Sequence, residues 1–210
     1  FAIYYFLGPQ RLRKNRSRRL RNQAHLFVQA DITSLRKVVG AAPITMTQLA
    51  RLGNSTCGIP VSTASELNLL VGGERTFDAI FEAIRQARHH VHLEYYVFEP
   101  DHTGTELQQL LIQKARQGVQ VRLLVDALGS QRLGRGFMDP LTQAGVQVAR
   151  FHDTRIGRRL RPVTNYRTHR KIVVCDGRVG FVGGINITDE ENPRVRDDAY
   201  HDVHLRLEGS

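Results

Sequence analysis

From Glu74 onward the chain alternates between two hydrophobic periods, and that alternation predicts its elements. Phe77, Ile80, Phe81, Ile84 and Ala87 recur at helical spacing, which predicts an amphipathic helix. Arg85, Arg88, His89 and His90 suit its carboxyl end, where cations meet the helix dipole favourably. A strand is expected over 91–98, then a turn at Asp101-His-Thr-Gly. Thr103 and Glu106 have the spacing of a capping box ahead of Leu107, Leu110, Leu111 and Ala115, and Gly118 closes that helix. Next come a strand over 119–126, a short helix capped by Asp139-Pro140 and ending at Gly145, and a strand over 146–151. Gly-Val-Gln-Val stands at 118 and again at 145, a repeated helix stop and strand start.

The last clear pattern is a hairpin. Ile172, Val173 and Val174 form an apolar strand, Asp176-Gly177 turns the chain, and Val179-Gly-Phe-Val182 returns it. Helices alternating with strands and then a hairpin predict a layered α/β domain with a mixed sheet. In such sheets reactive groups gather where strands end. Residues 22–72 are less regular: Thr33–Val39 and Thr47–Leu52 have short helical patterns, broken at Pro43, Gly53-Asn54 and Pro60. They are expected to form a lead-in to the domain.

The hairpin strand carries chemistry. His169, Lys171 and Asp176 lie on one run, and Asn186 follows in Gly183-Gly184-Ile-Asn186. A phosphodiester repels oxygen nucleophiles, so an imidazole nitrogen that forms a phosphohistidine divides one hard displacement into two. His169 is the candidate nucleophile. The ammonium of Lys171 and the amide of Asn186 suit the non-bridging oxygens, where charge spreads in the transition state. Strand alternation puts 169 and 171 on one face. Asp176 is a candidate to orient the His169 ring, although its distance along the strand leaves a purely structural role open. Gly183 and Gly184 would let a bulky phosphate approach the backbone. No metal ligand is needed, and His89, His90 and His92 lack the spacing and companions of a zinc site.

The string H-x-K-x4-D-x6-G-G-x-N resembles the motif of the phospholipase D superfamily, and its surroundings narrow the match. Asn165-Tyr-Arg-Thr ahead of the motif, Leu93-Glu-Tyr-Tyr-Val-Phe98, Gly118–Ser130 and Asp202-Val-His204-Leu-Arg-Leu-Glu-Gly209 are similar to bacterial cardiolipin synthases of that type, with Tyr200 where Trp is usual. The resemblance implies a phospholipase D-like layered α-β-α half-domain with a mixed sheet. It implies phosphatidyl transfer between two phosphatidylglycerol molecules, giving cardiolipin and glycerol, with His169, Lys171 and Asp176 in catalysis and His169, Lys171 and Asn186 holding substrate. It implies no cofactor and no metal. It also implies a partner, because such motifs work in pairs and a second His-x-Lys is missing from the nine histidines here. That second half-domain would come from the same full-length chain or from a second copy. Glu94, Tyr95 and Tyr96 are expected near the site or in the core beneath it. Asp202 and His204 alternate on a late strand that could pair with the motif strand.

Composition and charge place this domain at a surface. The 210 residues are 41% hydrophobic and carry a formal charge of +10, enough for one good core. Cys57 and Cys175 lie too far apart to suggest a metal site and read as reduced packing residues. Seven Lys or Arg fall between Arg11 and Arg21 without an acid, directly after the apolar run Phe1–Leu7. Apolar then basic is how a membrane span meets the cytoplasm, and the cluster would attract anionic headgroups. The expected organisation is the end of a transmembrane helix at 1–8, a basic juxtamembrane segment and lead-in at 9–72, and the catalytic half-domain at 73–210. That places the protein at a bacterial inner membrane, facing the cytoplasm. Arg155, Arg158, Arg159, Arg161 and Arg167 enter the motif strand with only Asp153 against them, a rim that draws phosphate. The lipid reading calls for no nucleic acid. The alternative is a single-motif nuclease or phosphodiesterase acting as a homodimer.

Overall fold

The computed structural model describes residues 48, 49, 52, 64–151 and 167–209. The chain divides into two compact units, Phe1–Thr63 and Ala64–Ser210. The expected span end at 1–8, the basic cluster and the arginine-rich loop up to residue 166 lie outside the described residues. Among the described residues no helix is long and apolar enough to cross a membrane.

The second unit is built on a seven-stranded sheet in the order β1-β7-β6-β5-β2-β3-β4. Its strands are β1 (Glu66–Val71), β2 (His90–Tyr95), β3 (Gln120–Asp126), β4 (Gln147–Phe151), β5 (Ile172–Cys175), β6 (Val179–Gly183) and β7 (Val203–Glu208). The helices are α1 (Gly73–Gln86), α2 (His102–Arg116) and α3 (Arg135–Gln143), with one 3-10 turn at Asp189–Glu191. β2, β3 and β4 run parallel, because α2 and α3 carry the chain back after each strand. β5 is antiparallel to β2, and β5, β6, β7 and β1 continue as an antiparallel meander. The mixed sheet expected from the sequence is therefore present.

Period-two alternation decides which face is covered. Val91, Leu93 and Tyr95 of β2, Val121, Leu123 and Val125 of β3, and Val173 and Cys175 of β5 are buried in one cluster with Ile80 and Ile84 of α1, Leu107 and Leu111 of α2, and Leu141 of α3. Each such aliphatic side chain contributes about 1.5–3 kcal/mol when removed from water. Rigid strands under three helices fix where the strand ends point. β5 starts beside the carboxyl end of β2, with Ile172 opposite Glu94.

Four details differ from the sequence reading. The sheet begins at Glu66, ahead of the expected boundary at 73: β1 pairs with β7 on the sheet edge, Val71 opposite Val203. Its residues are almost all exposed, so no burial pattern announces it. α2 is capped by Asp101, whose side chain accepts from the Gly104 N–H, and not by Thr103. Thr103 is buried and accepts from Asn192 instead. α3 starts at Arg135, ahead of the expected cap at Asp139-Pro140, and takes Pro140 into its interior; Met138 and Leu141 are buried. β7 pairs with β6 and β1 and does not reach β5.

The Asp176-Gly177 turn forms as expected, with φ of 55° and 69° at its two residues. Both lie in the left-handed region, which the sequence meets with Asp and Gly. Gly177→Ala is expected to lower stability by about 1–2 kcal/mol, read from urea denaturation. An unchanged midpoint would mean that the turn relaxes without strain.

Candidate active site

Three chain segments meet at the end of the sheet where β2 finishes and β5 starts. The first is the approach to β5. Thr168 is buried, its N–H directed to Asp126 Oδ2 at 3.3 Å and its hydroxyl donating to Glu94 Oε1 at 2.5 Å. Asp126 is fully buried, accepts from the N–H groups of Leu128 and Gly129, and pairs with Arg167 at 3.6 Å. Arg170 lies 3.8 Å from Glu94. Held in this way, the segment presents His169 outward and turns Lys171 inward, where it is 5% exposed.

Lys171 Nζ lies 3.2 Å from His169 Nδ1 and 3.2 Å from the His169 carbonyl oxygen. The second segment, just past β2, supplies Tyr96. Its ring stacks on His169 with centroids 4.0 Å apart, tilted 31°, and Lys171 Nζ is 5.5 Å from its centroid. The tyrosine thus limits how the imidazole can tilt. Glu94 takes part through Thr168 and Arg170, and Tyr95 is fully buried in the core.

The third segment follows β6. Asn186 Oδ1 accepts from the Val97 N–H at 3.1 Å, and Asn186 Nδ2 donates to Glu191 Oε1 at 3.2 Å. Main-chain bonds from Ile187 to Val97 and from Glu99 to Ile187 tie this segment to the end of β2. The structure therefore brings His169, Lys171 and Asn186 to one end of one sheet. Burial pushes the Lys171 ammonium below its ordinary value, and the charges of Glu191 and Asp202 push it back up. Burial likewise raises the Glu191 carboxyl, against the Asn186 donors. Sequence reasoning did not single out Glu191; an acid five residues past the asparagine is an ordinary surface pattern until its burial is known.

Asp176 is not part of this cluster. Its carboxylate accepts from the backbone N–H groups of Arg88, His89 and His90 at 2.8, 2.8 and 2.9 Å. It sits at the far end of β5 and ties the turn to the joint between α1 and β2, so the orienting role considered for it gives way to the structural one. Burial would raise its carboxyl, but those three donors overcome this and hold it below the usual carboxylate range. The glycine pair also has a different task from the one expected. A Cβ at Gly183 would collide with the start of β7, and one at Gly184 with the Asp202 carboxylate. What comes close to both is β7 and its acid.

His204 is fully buried under this end of the sheet, and among the described residues its two ring nitrogens find no hydrogen-bond partner. Burial pushes it down to about 4, with Lys171 lowering it further and Asp202 opposing.

Residues 80–200 match the family model described as "Cardiolipin synthase, PLD-like domain". The chain belongs to this family. The match runs from α1 through the motif to Tyr200 and so takes in His169, Lys171, Asn186 and Glu191. Cardiolipin synthase 1 of Bacillus cereus is 43% identical over 153 residues, covering 72% of this chain and 30% of that protein. A cardiolipin synthase of a Geobacillus strain is 44% identical over 164 residues, covering 77% of this chain and 32% of its own length. The matched stretch of this chain thus spans about a third of these relatives. Among solved structures, phosphatidylserine synthase of Haemophilus influenzae superposes with a TM-score of 0.53 at 17% identity, over 70% of this chain and 34% of that one. NucT of Helicobacter pylori gives 0.50 at 18% identity, over 68% and 85%. At these identities the likeness shows a shared fold.

Two outcomes follow from this geometry. Asp176→Asn is expected to lower stability by about 2 kcal/mol, since three charge-assisted bonds weaken, with turnover per folded molecule nearly unchanged; a kcat loss without a stability loss would return Asp176 to the site. His204 has a folded value below its unfolded one, so its contribution is present above about 6.5 and lost as pH falls toward 4. Urea midpoints should drop between pH 7 and 4.5, and His204→Phe should flatten that part of the dependence.

Proposed function

We propose that this chain is one catalytic half of a membrane-associated cardiolipin synthase. The observation that carries the reading is the ammonium of Lys171, nearly buried and 3.2 Å from the exposed imidazole of His169, at a sheet end shared with Asn186. A ring nitrogen of His169 attacks the phosphorus of phosphatidylglycerol, the bond from phosphorus to the glycerol oxygen breaks, and glycerol leaves with a proton from a general acid. The hydroxyl of a second phosphatidylglycerol then gives its proton to that group and attacks the phosphohistidine, releasing cardiolipin and restoring His169. Lys171 and Asn186 hold the non-bridging oxygens, where charge spreads in each transition state.

The general acid is assigned to a second half-domain of the same kind, from the same full-length chain or from a second copy. Residues 1–8 are read as the end of a membrane span and 9–63 as a basic segment and lead-in on the cytoplasmic side of the bacterial membrane. There the cluster from Arg11 to Arg21 meets anionic headgroups. Support comes from the family membership and from relatives of which the matched stretch covers only 30%.

With full-length protein in phosphatidylglycerol vesicles, His169→Ala is expected to reduce cardiolipin formation by roughly 10⁴-fold or more. Asn186→Ala should lose about 10²–10³ in kcat. Wild-type turnover in the His169 variant would overturn the mechanism, and phosphatidic acid as the sole product would reassign the acceptor to water.

A further inference from the structure

Glu191 is a site neighbour that the reaction scheme above does not use. It is a carboxylate only 6% exposed, in the 3-10 turn that follows Asn186. Its seat is rigid. Asp189 of the same turn accepts from the N–H groups of His102 and Thr103, Asp101 accepts from the Asp189 N–H, and Asn192 donates to Thr103. The amino end of α2 therefore holds Glu191 in place. Its Oε1 takes the Asn186 Nδ2 at 3.2 Å and the Asn186 backbone N–H at 3.4 Å. Its Oε2 is buried and finds no hydrogen-bond partner among the described residues.

We propose that Glu191 is a positioning residue of this site, which sets the orientation of the Asn186 amide and adds a buried negative charge to the end of the sheet that holds Lys171; the inference rests on the phosphoryl-transfer reading above. The amide has two ways to sit, and its neighbours allow one. The Val97 N–H can meet only an oxygen, and the Glu191 carboxylate can meet only the NH2 group. With both partners in place, one Nδ2 hydrogen is used and the other remains for a phosphoryl oxygen. Without the acid, the oxygen could be presented to an anionic substrate, which repels it.

The second effect is electrostatic. The titratable groups facing Lys171 are His169 and Tyr96 at the site, Glu191 from the 3-10 turn, and Asp202 and His204 of the β7 segment. Two of them, Glu191 and Asp202, favour its charged form against burial, and Asp202 is exposed where Glu191 is not. A buried charge is screened less by salt and water than an exposed one. Glu191 is thus the acid whose loss Lys171 should feel most. Removing it makes the lysine release its proton at lower pH, so activity should fail earlier on the alkaline side.

The test uses full-length protein in mixed phosphatidylglycerol and phosphatidylcholine vesicles, with kcat and kcat/KM followed from pH 6 to 10. Glu191→Gln keeps shape and removes charge. It is expected to lose about tenfold or more in kcat and to move the alkaline limb of kcat/KM down by about 1 unit. Glu191→Asp keeps the charge but draws it back from Asn186; it should lower kcat and leave the limb at the wild-type position. A residue that only supports the fold would change thermal stability and leave both limbs in place. An unmoved limb in Glu191→Gln, or a displaced one in Glu191→Asp, overturns the inference. Should Glu191→Gln not accumulate, the position of the limb in Glu191→Asp decides alone. His169→Ala runs beside them: if it is inactive and the limb is unmoved, this inference fails and the reaction scheme stands, whereas activity in His169→Ala removes the scheme itself.

Discussion

A lysine ammonium at 5% exposure is the constraint around which this end of the sheet is arranged. Removing such a charge from water is expensive unless opposite charge and hydrogen bonds replace the solvent. Here the replacements come from three directions: the His169 carbonyl, the Glu191 and Asp202 charges, and the face of Tyr96. A site that binds phosphate gains from the same arrangement. A poorly hydrated cation attracts an anion more strongly than a solvated one does, and the acids prevent that cation from discharging before the anion arrives.

The motif strand divides its labour by length. From Lys171 to Asp176 is five residues, roughly 17 Å along an extended strand, so no side chain at 176 can touch one at 169. What looks in sequence like a single constellation is two sites joined by a rod. One end holds the nucleophile and the cation. At the other, Asp176 accepts three backbone N–H groups and clamps the rod against β2. Register matters because a slip of one residue would turn Lys171 to the opposite face. The aspartate thus supports the chemistry through position, by fixing which face 171 occupies.

How much could be read beforehand follows from what each element has to bury. α1, α2, β2, β3, β5 and β6 show their periods because one face of each enters the core. The motif spacing did bring His169, Lys171 and Asn186 to one sheet end, but not by strand alternation: β5 begins at Ile172, and in the segment ahead of it His169 is exposed while Lys171 is buried. β1 was illegible because its residues lie almost wholly outside the core. The cap of α2 was misplaced because Thr103 and Asp101 both suit a cap, and only the approach of Asp189 and Asn192 from 86 to 89 residues away decides between them. Glu191 was missed for a related reason: its significance lies in burial, and local pattern does not encode burial for a turn of three residues. Gly183 and Gly184 were recognised as making room, but the approaching group was taken for phosphate when it is β7 and Asp202.

His204, buried near the nucleophile, also bears on the proposed pairing of half-domains. A general acid for an alkoxide leaving group must carry a proton near neutral pH and reach the leaving oxygen. His204 meets neither condition. It is pushed down to about 4 and has no exposed surface, so at neutral pH it is an uncharged ring packed beneath the cluster. Raising its affinity for protons would place a second cation next to Lys171, which already lowers it. The same buried cation that suits this sheet end to holding an anion therefore makes it a poor place for an internal acid. A symmetrical solution avoids the conflict, because a second nucleophile-type histidine, exposed on its own sheet end as His169 is here, can donate across the substrate from outside the cluster.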